Sequence, residues 1–376
     1  FITLYHLIFL VKIKFIMKIC IIGNSLTSLT LAKALVNKEI FVDIFYKNKK
    51  INLDKTRTIG LSKSNINFFN NNISKINKIL WPIKKIKIFS ENSGDNELIE
   101  FEEPNNHLFS IINNFSLYNQ LNSELNKIKY FKVKYDIPFK KLDNLGYNLI
   151  INCDPNHLIT KKFFSKKFEK KYDSFAFTTV IDHKKLSLNN TAIQIFTKKG
   201  PMAFLPISNN KTSIVYSMRT KDDEPNLDIR KLINKFSSNF EIKKINKISK
   251  FKLKSFNLRN YYKSNMLAFG DLLHKLHPLA GQGFNMSLRD IKKLLDIIDK
   301  KIELGLALDQ SVCIEFQNKT KTGNFVFSEG IDFIYEYFNS ENKIKNNLID
   351  MSIKHIGKNK YINDYFKKIA DEGLQV

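Results

Sequence analysis

The residues best suited to chemistry are gathered in one stretch, Gly270-Asp271 through Asp290, which reads GDLLHKLHPLAGQGFNMSLRD. It supplies a carboxylate (Asp271), two imidazoles (His274 and His277), a stiffening Pro278, and the triplet Gly281-Gln282-Gly283. Glycines that open a helix let the backbone approach a flat or anionic group, and the free N–H groups there stabilise negative charge. A carboxylate at the carboxyl end of a buried strand can accept hydrogen bonds from ligand hydroxyls. The two histidines are either loop residues or contacts to a substrate. No third ligand at suitable spacing accompanies them, so a metal site is not expected.

The elements that must hold this stretch can be read on either side of it. Asn265 to Asp271 (NMLAFGD) has the continuous apolar character of a strand buried on both faces. After the glycines, Leu288, Ile291, Leu295 and Ile298 recur at helical spacing. A second strand–turn–helix opens the chain's first regular segment, KICIIGNSLTSLTLAKAL, followed by the strand IFVDIF. That is a βαβ unit whose first turn, Gly23-Asn24-Ser25-Leu26-Thr27-Ser28, is the place for a pyrophosphate. A third buried strand, YNLIINCD, ends on Asp154. Elsewhere, IKKIKIFSE, SFAFTTVID, TAIQIFT and TSIVYSM alternate apolar and polar residues, as strands with one exposed face do.

The Gly270–Asp290 stretch resembles the second FAD motif of the class A flavoprotein aromatic hydroxylases, in particular the ubiquinone-biosynthesis branch (2-polyprenyl-6-methoxyphenol hydroxylase-like). RTIGLSKSN, with Arg57, and GPMAFLPISNNKTSIVYSM, with Gly200, Pro201 and Pro206, resemble further family stretches in the same order. The resemblance implies an α/β fold: a Rossmann-like, para-hydroxybenzoate hydroxylase-like FAD-binding domain, an inserted, mostly antiparallel β substrate domain, and a helical C-terminal tail. It implies FAD held by Gly23, Ser25, Ser28, Arg57, Asp154, Gly270, Asp271, Gly281, Gln282, Gly283 and Asn285. Backbone roles at the flavin ring would fall to Pro278, Gly281, Gln282 and Gly283, and substrate contacts to His274, His277 and Pro206. The chain departs from the family at the adenine end: Ser25 and Ser28 replace glycines, Tyr46 stands where an acid is usual and Tyr118 where an arginine is usual, and Pro155 follows Asp154.

The activity implied is FAD-dependent hydroxylation of the ring of a polyprenylated phenol with O2, through a flavin hydroperoxide, with NAD(P)H or an external donor as electron source. The alternative is a catalytically weak or silent member that serves as an assembly scaffold for other ubiquinone-biosynthesis enzymes. Expected boundaries are residues 1–16 as a non-native or accessory leader, 17–80, 106–171 and 257–300 as FAD-binding parts, 81–105 and 172–256 as substrate domain, and 301–376 as helical tail.

Composition narrows the partners. The chain of 376 residues carries a net charge of +25, almost all of it lysine, with five arginines. So few guanidinium forks argue against nucleic acid. An anionic membrane surface and compositional drift remain as explanations of the charge. The opening segment FITLYHLIFLVKIKFI is interrupted by Lys12 and Lys14 before reaching the length of a spanning helix. Three scattered cysteines, Cys20, Cys153 and Cys313, suit a reducing compartment. The expected location is cytoplasmic, peripheral on the inner membrane.

Overall fold

A computed structural model describes residues 17–46, 54–91, 97–103, 106–135, 145–219, 228–237, 240–277, 281–341 and 360–373. The expected leader 1–16 and Pro278 lie outside the described residues.

The chain enters a six-stranded sheet with β1 (Lys18–Ile22), crosses through helix α1 (Leu26–Val36), and returns as β2 (Phe41–Tyr46). The two strands pair in parallel, Ile19 opposite Val42 and Ile21 opposite Ile44. Their residues are buried because α1 seals the sheet with Leu29, Leu31, Ala32 and Leu35, each fully inaccessible. The strand Phe131–Tyr135 extends this sheet beyond β2. β3 (Thr58–Ser62) belongs to a separate three-stranded sheet, pairing antiparallel with Phe109–Asn113, which also takes Leu80–Ile83. β4 (Leu149–Asn152) then joins the first sheet beside β1.

The chain leaves that sheet for a larger one of nine strands, built on β5 (Lys167–His183) and β6 (Ser249–Leu258). Its pairings are antiparallel, with one exception: Thr191–Thr197 runs parallel to Lys85–Ser90. Alternation reports that one face is exposed and carries no information on strand direction. The chain returns to the first sheet at β7 (Met266–Ala268), parallel to β4, and then runs through α2 (Gly283–Glu303), α3 (Gln310–Glu341) and α4 (Lys360–Glu372).

The buried strands legible in the sequence thus form one sheet, ordered β7-β4-β1-β2 at its centre. Between β7 and α2, the segment His274–Lys275 pairs with β6 of the larger sheet, His274 opposite Asn257. The Gly270–Asp290 stretch therefore ties the two sheets together before it opens α2.

Candidate cofactor and substrate site

The carboxyl ends of β1, β4 and β7 bring Gly23, Asp154 and Gly270 to one edge of the first sheet. Gly23 has φ 110°, donates its N–H to Phe45 O at 3.0 Å, and leaves only 3.3 Å between an added Cβ and the Asp154 nitrogen. Gly270, at φ 63°, faces the side chain of Thr27 on α1, whose Cγ2 would be 2.9 Å from an added Cβ. Both glycines are required by sterics as well as by φ. Asp271, immediately after, is exposed.

Ser25 caps α1: its Oγ accepts from the Ser28 nitrogen at 3.1 Å and lies 2.9 Å from Ser28 Oγ. Ser25 is exposed at the helix N-terminus, where unpaired N–H groups and the dipole suit a phosphate. Ser28 is fully buried, so its part is to let the turn pack closely rather than to touch a ligand. Asp154 accepts from the Asn156 nitrogen at 2.8 Å, which shapes its own turn.

At the other end, Gly281 (φ 63°) sets its backbone against that of Gly60, 3.6 Å from an added Cβ to the Gly60 nitrogen. Gly283 has no described atom within 4 Å of an added Cβ, so the start of α2 stands open. Gln282 is 8% exposed, and its Oε1 is buried without a hydrogen-bond partner among the described residues. An orphaned acceptor beside an open helix N-terminus is what a ring bearing an N–H would complete. Arg57 is exposed on the adjoining side, its guanidinium 5.5 Å from the Phe251 ring of β6. Lys275 lies nearby and is held below the usual lysine range, mainly by burial, with Asp271 opposing.

Two expected site residues take other work. Asn285 donates to Gly60 O (2.8 Å) and accepts from the Ser62 nitrogen and Asn65 Nδ2, both at 3.0 Å. Its side chain is committed to clasping β3 onto α2, so its contribution is positional. His274 is buried, with Nε2 2.5 Å from Asp290 Oδ2, and Asp290 Oδ1 accepts from Asn324 of α3 at 2.9 Å. That pair is a tie between strand and helices. Pro206 is buried in the strand Gly200–Ser208, next to a bulge.

His277 sits among aromatic groups. Its ring stacks on Tyr335 at 3.9 Å and meets Tyr172 edge-on at 5.1 Å. Burial lowers its pKa to about 3, so it is neutral at physiological pH. Tyr172 donates to Asp332, whose other oxygen accepts from Ser255 at 2.9 Å. Leu253, Leu276, Met286 and Phe327 pack around this cluster. Sequence spacing carries no sign of it, because Tyr172 and Asp332 are 160 residues apart. Among the described residues no group of three metal-ligating side chains occurs.

A strand-end turn for phosphate, an exposed carboxylate, and an open helix with an orphaned acceptor together fit an extended dinucleotide with a flat ring at the far end. The comparisons agree. Residues 148–303 match the family described as FAD binding domain. In sequence, the chain is 28% identical over 155 residues to the 3-demethoxyubiquinol 3-hydroxylase of Escherichia coli, covering 39% of each chain. To the ubiquinone biosynthesis monooxygenase COQ6 of Danio rerio it is 22% identical over 238 residues, covering 52% of this chain and 49% of that one. The matched region thus spans half or less of these curated relatives. In structure, the p-nitrophenol 4-monooxygenase PnpA of Pseudomonas putida superimposes with a TM-score of 0.76 over 96% of this chain and 99% of that one, at 10% identity. Klebsiella pneumoniae HpxO, solved with FAD and uric acid, gives 0.72 over 94% and 97%, also at 10% identity. The chain shares the fold of these two proteins.

Proposed function

We propose that this relative of the ubiquinone-biosynthesis FAD monooxygenases is itself an FAD-dependent hydroxylase, acting with O2 on the ring of a polyprenylated phenol and drawing electrons from NAD(P)H. The observation that carries this reading is the Gly270–Asp290 stretch, which joins both sheets and ends on the open, acceptor-bearing start of α2. Bound FAD supplies the redox chemistry, accepting electrons from the donor and activating O2.

The chain's own groups bind, orient and exclude water. The N-terminus of α1 beside Ser25 would hold the pyrophosphate, and the Asp271 carboxylate would accept from hydroxyls of the ribityl chain. Gln282 Oε1 would take a ring N–H, and the N-terminal dipole of α2 would favour negative charge on the ring. Arg57 would add positive charge from β3. The cluster of Tyr172, Tyr335 and neutral His277 would receive the phenol, with Leu253, Leu276 and Phe327 keeping water out.

A prenylated substrate is carried in lipid, so we place the protein on the anionic face of the inner membrane. The +25 charge supports this, as do exposed aromatics: Phe168 and Phe325, whose rings are 5.9 Å apart, and Phe333 at 69% exposure. No described helix is long and apolar enough to cross a membrane.

The test is to purify the chain, record its visible spectrum with and without added FAD, and then supply a prenylated phenol with NADPH. Bound flavin, lost or weakened in Asp271→Ala, and a hydroxylated product are expected. A chain that takes up no flavin at any added concentration would sink the proposal.

A further inference from the structure

The end of the larger sheet where β5 begins carries exposed aromatic rings among cations. Phe168, the second residue of β5, is 50% exposed, and Phe325 and Val326 of α3 are 40% and 44% exposed. The Phe168 ring meets Phe325 at 5.9 Å and lies under the Arg259 guanidinium at 4.5 Å. Lys167 and Lys170 hold Glu169 and Glu336 at 2.6 and 2.5 Å. Lys166, Lys171, Lys254 and Arg259 form no ion pair among the described residues. Asp173 and Glu329, the other acids nearby, are exposed. Lys171 of β5 stands directly opposite Lys254 of β6. Like charges in that register work against the sheet, so the pair does not serve the stability of the fold.

Exposed rings beside uncompensated cations suit an anionic lipid surface, where aromatic groups settle at headgroup level and the charges act on the phosphates. The same edge leads inward. Tyr172 is four residues along β5 from Phe168, about 13 Å in a strand. Asp332, which accepts from its hydroxyl, is two turns along α3 from Phe325. We propose that this edge, with Phe168 and Phe325 at its centre and Lys171, Lys254 and Arg259 around them, is the surface that docks on an anionic bilayer. A lipid-borne substrate then enters between β5 and α3 toward Tyr172. This deepens the membrane placement above and rests on it, by assigning the face that meets the lipid.

The test is co-sedimentation of the full chain with vesicles of mixed phosphatidylglycerol and phosphatidylcholine, and with phosphatidylcholine vesicles alone. It needs neither flavin nor turnover. Binding to the anionic vesicles, weakened by added salt, is expected. Lys171→Gln combined with Lys254→Gln should weaken it about 30-fold, the scale of two cations at such a surface. That variant should melt at or above the wild-type temperature, because the opposed pair is gone. Phe325→Ser should weaken binding by about 5-fold. Lys243→Gln combined with Lys244→Gln removes the same charge from the exposed strand paired to the far end of β5, about 35 Å away. Its binding should stay within about 2-fold of wild type. Equal losses from the two lysine pairs would show net charge alone at work and overturn the docking edge. So would equal binding to neutral vesicles, no binding to either kind, or a dimer in solution that Phe325→Ser dissociates, which would assign the edge to a second copy. Any of these leaves flavin uptake and hydroxylation in detergent untouched, so this inference and the hydroxylase reading fail separately.

Discussion

His274 Nε2 and Asp290 Oδ2 meet at 2.5 Å in the interior, and this contact fastens the strand paired to β6 onto α2. Asp290 also holds Asn324 of α3, so one carboxylate serves three elements. Removing one member of a buried pair leaves the other without its partner, at a cost of about 3 kcal/mol. Asp290→Ala is expected to lower stability to unfolding in urea by about that amount, with an unchanged m-value. A loss below about 1 kcal/mol would show that His274 finds another partner.

Gly270→Ala meets two obstacles, a positive φ and the Thr27 methyl 2.9 Å from the new Cβ. We expect a loss of about 2 kcal/mol or more in thermal or urea unfolding. Thr27→Ser removes the offending methyl and in the wild-type background costs about 0.8 kcal/mol. In the Gly270→Ala background it should cost less or restore stability, a coupling of about 1 kcal/mol in the double-mutant cycle. Strict additivity would show that only the backbone strain matters.

Gln282 carries an unpaired buried acceptor, so Gln282→Met should leave the flavin-free fold as stable or up to about 1 kcal/mol more so. Its affinity for FAD should fall by roughly 10-fold. Opposite movement of the two quantities, measured by melting and by flavin titration, marks a residue kept for a ligand. A parallel loss of both would mark a structural one.

His277 gives the fold a pH dependence whose sign is fixed by its burial. In the folded chain its pKa is about 3, against about 6.5 when unfolded, so between those values the unfolded chain binds the extra proton. Stability contributed by keeping this imidazole neutral is present above pH 6.5 and is lost as the pH falls toward 3. From pH 7 to pH 5 the loss from this group is about 2 kcal/mol. His277→Phe should flatten the urea-stability profile over that interval by that amount, and an unaltered slope would contradict the assignment.

Much of the fold was legible because its signals are local. The continuous apolar runs at Ile19–Ile22 and around Ile150 announced strands buried on both faces, and Gly23 and Gly270 marked where they end. The glycine-opened helix at Gly283 was legible for the same reason. Directions and partners were not. Thr191–Thr197 alternates like its neighbours, and the side-chain period is blind to the parallel pairing with Lys85–Ser90. Asn285 is expected as a ligand contact through the family resemblance, whereas its side chain bonds Gly60, 225 residues away. The facing phenols of Tyr46 and Tyr118 appear only once strand and helix are set against each other.

That separation bears on how the chain acquires its site. Gly23 lies against Asp154, and Gly281 against Gly60, so each contact joins residues far apart in the sequence. Closing such distant contacts is entropically slow and comes late in folding. During synthesis from the N-terminus, the phosphate turn emerges long before its counterpart at Gly281, and domains fold as they emerge. A nascent chain therefore has no place for a flavin until α2 has left the ribosome. Cofactor capture then reports completion of the whole architecture, and by mass action it secures the last-formed contacts against reopening.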